Sequence, residues 1–139
     1  MDKQVGKPKI NARQVANDFM GYFYQMWFNN PSGMYSESHT GCELIKPYSK
    51  LLYEGVQYEG IQFVQFLENF IKSGVKFNVN KYDVFDSGSR MIQIHVLGTL
   101  TSNTVNNMEV KQISQFFLLV YQGEKDNKWT LMNSTIVIA

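Results

Sequence analysis

The stretch Leu51–Gly74, LLYEGVQYEGIQFVQFLENFIKSG, sets the architecture. It opens as a β-rich apolar patch, turns at Glu54-Gly55, resumes at Val56 and Tyr58, and stops at Gly60. From Ile61 onward, Phe63, Val64, Phe66, Leu67, Phe70 and Ile71 recur at three- and four-residue spacing, and Gly74 supplies the stop of a helix. The pattern is a hairpin feeding a helix whose broad apolar face must cover something large. The surface left to cover is a sheet predicted after Gly74.

Downstream, VKFNVNKYDVF alternates at Val75, Phe77 and Val79 and then changes parity to Tyr82 and Val84. A parity change inside one strand predicts a bulge or bend near Asn80-Lys81. After a turn at Ser87-Gly88, the strand Met91 to Leu100 places Ile92, Ile94 and Val96 on one face and Met91, His95 and Leu97 on the other. The polar loop TSNTVNN leads to a strand from about Met108 to Tyr121, and GEKDNK to a closing strand in KWTLMNSTIVIA. These last strands form an antiparallel meander that is apolar on both faces, Phe116, Leu118 and Val120 opposing Ile113, Phe117, Leu119 and Tyr121. One helix layer covers one face. The other calls for a partner, and no residues remain for a second sheet, so a dimer through the sheet is expected.

Upstream, Asn11 followed by Gln14 resembles a capping box, opening a helix that runs to about Asn29 with Val15, Phe19, Phe23, Met26 and Trp27 as its stripe. Gly33, Gly41 and Pro47 interrupt the pattern from Pro31 to Lys50, where a short second helix or an irregular excursion is expected. Residues 1–9 read as a flexible polar tail ahead of a single domain over 10–139. The α-then-β order gives an α+β fold with helices packed inside a strongly bent sheet.

Composition narrows the functional classes. At 139 residues the chain can bury a core without disulfides or metal. Its formal net charge of +1, with scattered Lys72, Lys76, Lys81 and Arg90, provides no basic field for direct nucleic-acid binding. A single cysteine, Cys42, excludes an internal disulfide and a cysteine-cluster zinc site and fits a reducing compartment. No apolar run is long enough to span a membrane, and the basic start MDKQVGKPK lacks the apolar core of a secretory signal. No His/Cys/Asp/Glu set has metal-ligand spacing, so neither metal nor cofactor is expected. His39 and Cys42 make a poor nucleophile–base pair, because nothing places a base beside the thiol at a helix start. An enzyme would need a pocket carboxylate or histidine base and an opposing donor, and Tyr24, Asp83 and His95 are the set available. Their spacing does not bring them together, so a non-enzymatic reading is preferred over an isomerase or dehydratase.

Ordered motifs carry a resemblance across Ile10 to Ile138. Phe19-x-x-x-Phe23-Tyr24, Leu52-Tyr53-Glu54-Gly55, Tyr58-Glu59-Gly60, Val96-Leu97-Gly98-Thr99-Leu100 and Gln115-Phe116-Phe117-Leu118-Leu119 resemble the successive signatures of the nuclear transport factor 2 family. The resemblance implies a bent antiparallel sheet forming a cone packed on three helices, usually dimeric through the sheet. It further implies a protein-binding scaffold of nucleocytoplasmic transport, working in cytoplasm and nucleus at the nuclear pore. The implied partners are the small GTPase Ran in its GDP form or an mRNA-export receptor, nucleoporin Phe-Gly repeats, and a second copy or related protomer. On that footing Tyr53, Leu67, Phe70 and Phe117 line a pocket at the cone mouth, and Glu54 and Glu109 supply rim carboxylates.

This sequence departs from the family pattern at several positions. Tyr53 replaces a pocket tryptophan, Asn106 and Met108 stand about where further rim acids belong, and Asn133-Ser134-Thr135-Ile136 replaces a near-terminal Asn-Asp-x-Phe. Residues 36–47 read as an insertion. Loss of rim acids fits family members that serve as export subunits, or as peptide-binding domains of RNA-granule proteins.

Overall fold

A computed structural model describes residues 11–38, 43–88, 90–103, 108–123 and 128–138. The expectations for the 1–9 tail, His39, Cys42 and Asn106 lie outside the described residues. Two α-helices, α1 (Ala12–Asn29) and α2 (Ile61–Lys72), accompany six strands: β1 (Lys50–Tyr53), β2 (Val56–Glu59), β3 (Val75–Gly88), β4 (Met91–Asn103), β5 (Met108–Gly123) and β6 (Lys128–Ile138). A single 3₁₀ turn, Pro31–Met34, occupies the region of interrupted periodicity where a short second helix or an irregular excursion was expected, so among the described residues two α-helices, not three, pack on the sheet. Tyr35 bridges to Ile45 in parallel, and Met34 and Ile45 are buried.

The sheet order is β2-β1-β6-β5-β4-β3, antiparallel throughout except that β1 runs parallel to β6. Asn11 caps α1 by accepting from the Gln14 backbone N–H at 3.1 Å, satisfying one orphan donor of the first turn. The Gln14 side chain reaches forward to Asp18 instead of back to the cap, so half of a capping box is present. The parity change in β3 corresponds to a register shift between Val79 and Lys81, and β5/β6 carries another between Leu118 and Leu119. Each inserts an extra residue, which bends the strand and strengthens its twist.

The two faces of the sheet differ sharply. Ile92, Ile94, Val96, Ile113, Phe117, Leu119 and Leu131 are buried, and they join Phe19, Phe23 and Trp27 of α1 and Phe63, Val64 and Leu67 of α2 in one core. Ring contacts fix the layering, with Phe117 meeting Phe19 at 4.8 Å and Phe23 at 5.0 Å, and Phe77 stacking on Tyr24 at 4.8 Å. This is the inner face. On the outer face Phe85, Met108, Val110, Phe116 and Val137 stay exposed. Among the described residues no helix is long and apolar enough to cross a membrane.

Candidate functional site

The hairpin that opens the key stretch is a two-residue turn, Tyr53 pairing with Val56 across Glu54-Gly55. Both central residues have positive φ, 50° at Glu54 and 79° at Gly55, the geometry whose twist matches that of the flanking strands. Glycine adopts it without strain; Glu54 holds it as an exposed side chain at the tip. Tyr53 packs its ring on Phe66 of α2 at 5.1 Å. Partial burial raises the Tyr53 pKa from its ordinary value, and the neighbouring Glu54, by charge and hydrogen bond, pushes the same way. The hydroxyl is therefore a donor beside a carboxylate.

Behind the hairpin the candidate pocket residues form a continuous aromatic network. Phe66 contacts Phe70 at 5.8 Å, Phe70 contacts Trp27 at 5.2 Å, and Trp27 reaches Phe117 through Phe23. Trp27 Nε1 donates to the Leu67 carbonyl at 3.0 Å, tying α1 to α2. Leu67 and Phe117 are buried in the core, whereas Tyr53 and Phe70 are half-buried at its margin. The structure thus joins Tyr53, Leu67, Phe70 and Phe117, with the first two positions of Glu54-Gly55 at the edge. Glu109, exposed on β5, is at the same end of the sheet but apart from the hairpin. Tyr53 aligns through Ile136 with Gln115, so Glu109 lies roughly 15–20 Å farther along the strand direction.

The alternative set Tyr24, Asp83 and His95 is divided by the sheet. Tyr24 is on the inner side, where its hydroxyl donates to Gln115 Oε1 at 2.7 Å. Burial raises its pKa far above the usual phenol range, which keeps it a proton donor. Gln115 is fully buried, and its Nε2 has no hydrogen-bond partner, nor has the buried Ser134 Oγ on the same face. Asp83 and His95 pair across β3 and β4 on the outer side.

That outer side holds a feature the linear sequence did not disclose, an open depression of about 410 Å³. Its lining comprises Asp83, Val84 and Phe85 of β3, Gln93, Ile94 and His95 of β4, Phe116, Phe117 and Leu118 of β5, and Asn133 and Thr135 of β6. The His95 ring lies flat on Phe116, with centroids 4.1 Å apart and planes 11° from parallel. Alternation in β4 and β5 already put His95 and Phe116 on outward faces. What it lacked was the cross-strand register, His95 with Phe116, Phe116 with Thr135 and Asp83 with His95, that assembles them. Among the described residues no group of three or more metal-type ligands is present.

Comparison with known proteins returns one family model, described as the nuclear transport factor 2 (NTF2) domain, matching residues 15–138. No curated protein matches the sequence. Among solved structures, a Caulobacter vibrioides protein with a cystatin-like fold superposes with TM-score 0.71 at 14% identity, covering 92% of this chain and 89% of that one. Nuclear transport factor 2 from Cryptosporidium parvum superposes at 0.68 with 21% identity, over 94% of this chain and all of that one (100%). The association domain of the C. elegans kinase CaMKII reaches 0.67 at 13% identity, over 89% and 93% of the two chains. Such identities speak to fold alone.

Proposed function

Because this chain belongs to the NTF2 domain family, we propose that it is a protein-binding scaffold of nucleocytoplasmic transport that works paired with a second protomer. The observation that carries this reading is the outer sheet face. Met108 is 66% exposed, Val110 57% and Val137 52%, spaced along the outer face of β5 and β6 towards one end of the sheet. Apolar side chains gathered on one surface favour association, since covering them removes roughly 25 cal/mol of unfavourable hydration per Å². A stable pairing buries on the order of 1,200–2,000 Å² in total, which a sheet of this size offers. Sedimentation velocity should therefore find a dimer, and Val110→Glu should return it to a monomer without unfolding it. A monomeric wild type would remove the pairing. An assembly well above two copies would favour the second reading, an association domain like that of the C. elegans kinase.

The transport part of the proposal rests on the hairpin. Glu54 is presented at an exposed tip beside the half-buried Tyr53, a carboxylate next to an aromatic surface. That pair suits a lysine flanked by an apolar side chain, as the family's rim offers to Ran-GDP. A charged hydrogen bond contributes about 1.5–3 kcal/mol, and each 1.4 kcal/mol is a factor of ten in affinity. Glu54→Lys should accordingly weaken Ran-GDP binding at least about tenfold in a calorimetric titration, with Glu109→Lys a smaller loss. Wild-type binding indifferent to Glu54→Lys would mean that the rim lies elsewhere. No wild-type binding would turn the reading towards an mRNA-export subunit or a peptide-binding domain of an RNA-granule protein.

A further inference from the structure

His95 lies in the middle of the outer sheet face. Its row across the sheet runs from Asp83 on β3 through His95 and Phe116 to Thr135 on β6 and Leu52 on β1. Val137, part of the apolar surface given to a second copy, is the next outward position after Thr135 on β6. A stable pairing takes about 800 Å² from each protomer, more than the side chains of Met108, Val110 and Val137 supply. It must therefore extend over the His95 row, where Phe116 and Leu52 are also exposed, at 44% and 43%. A two-fold pairing uses the same patch on both sides, so the His95 rings of both copies are covered.

His95 is poorly equipped to carry charge in such a place. One face of its ring is closed by Phe116, stacked at 4.1 Å with planes 11° from parallel. Its Nε2 is buried without a hydrogen-bond partner. A neutral imidazole has one N–H to satisfy, whereas an imidazolium has two. A cationic ring with an unmet donor is costly away from water. In the free protomer the side chain is half-buried, and by turning outward it reaches solvent. Beneath a second copy that exit is closed.

The groups around the ring do not compensate. From β3, Asp83 faces His95 and Lys81 lies one outward position along, both exposed and of opposite sign. Asp83 makes no hydrogen bond to the His95 Nε2. The positions that face the ring from β4, β5 and β6, Gln93, Phe116 and Thr135 among them, are uncharged. A second copy brings the same two opposite charges.

We propose that His95 makes the pairing of two copies sensitive to pH, the neutral imidazole allowing the outer faces to close and the imidazolium opposing closure. This switch rests on the pairing read from the outer face and adds its regulation. The sign follows from linkage. Protons bind more readily to the free protomer, so acid draws the equilibrium towards single protomers and higher pH towards the dimer. Histidine changes charge between about pH 5 and 8, which sets the window. If cover disfavours each charge about tenfold, two covered rings multiply to about a hundredfold in the dissociation constant.

Sedimentation equilibrium of the full-length protein at constant ionic strength tests this between about pH 8 and about pH 5.5. Circular dichroism at each pH checks that the protomer stays folded. The dissociation constant of the wild type should rise about a hundredfold on acidification. In His95→Phe, which keeps a ring on Phe116, and in His95→Gln, which stays polar, that ratio should fall to about one. Asp83→Asn should keep the pH dependence. A wild-type dimer indifferent to pH would overturn the switch and leave the pairing standing. A wild type that is monomeric at about pH 8 would remove both. The switch would also fall if both His95 variants dissociated in acid as the wild type does, or failed to pair at either pH. Loss of the pH dependence in Asp83→Asn would move the titrating group to β3 and overturn it as well.

Discussion

Trp27→Ala should lower the unfolding free energy by about 4 kcal/mol, read from the urea midpoint of full-length protein at unchanged slope. The size follows from what the indole touches. Trp27 is fully buried and contacts Phe23, Tyr24, Phe28, Phe70 and Phe77, rings from α1, α2 and β3. Truncation leaves a cavity among rigid rings that cannot collapse into it, which places the cost near the upper part of the usual range for a large aromatic. It also removes the Nε1 donor to the Leu67 carbonyl, the hydrogen bond linking the two helices. A domain of this size is stable by about 5–15 kcal/mol, so one substitution removes a large fraction of the total. Trp27→Phe separates the two contributions. It keeps much of the ring volume and loses the donor, and should cost about 1–2 kcal/mol. If Trp27→Ala and Trp27→Phe were equally mild, Trp27 would not be the point where α1, α2 and the sheet meet.

Local pattern made some of these features legible and left others hidden, for identifiable reasons. The parity change between Val79 and Tyr82 announced a bulge because period-two alternation allows no other way to keep Phe77 and Tyr82 on one face. The spacing of Phe63, Val64, Leu67 and Phe70 gave α2, and Asn11 gave the start of α1, since both signals lie within one or two helical turns. The parallel pairing of β1 with β6 was hidden. Leu51 meets Ser134 through a contact whose partners lie far apart in the chain, and short apolar runs carry no label for their neighbours. The segment from Pro31 to Lys50 gave a weak signal because it docks through isolated anchors, Met34, Leu44 and Ile45, instead of a repeating face.

The candidate site divides along the same line. Tyr53 and Glu54 were readable because a hairpin turn is a local object. The buried Tyr24–Gln115 hydrogen bond was not, since Gln115 looks like any polar residue of an alternating strand until its partner on α1 is placed over it. Likewise, spacing alone did not bring His95 together with Asp83. Its pairing with Asp83 depends on the turn after β3 and on the bulge within it, and a one-residue slip of either would send one of the two to the opposite face.

Gly98→Ala tests that bulge directly and should destabilise the protein by about 2 kcal/mol, lowering the melting temperature by roughly 8 °C. Intrinsic preference argues the other way. Glycine inside a strand costs about 0.5–1 kcal/mol relative to alanine, so propensity alone would make the substitution stabilising. Space decides against it. A Cβ at Gly98 would collide with the Asn78 backbone carbonyl oxygen and press on the Phe77 ring, at 3.1 Å from Cζ and 3.2 Å from Cε1. Gly98 pairs with Val79, next to the register shift, where the β3 backbone comes close to β4. The carbonyl cannot retreat without opening the β3–β4 ladder, and Phe77 is held by its stack on Tyr24. Overpacking against such fixed neighbours costs typically about 1–3 kcal/mol, and more when backbone must move, which exceeds the propensity gain. Gly21→Ala is the matched control. Its Cβ would enter open space on α1, so the same substitution there should stabilise by about 0.5–1 kcal/mol. Opposite signs at the two positions are the expected result of thermal denaturation. Stabilisation at both would mean that the Asn78 carbonyl and the Phe77 ring do not close on Gly98 as the register shift places them.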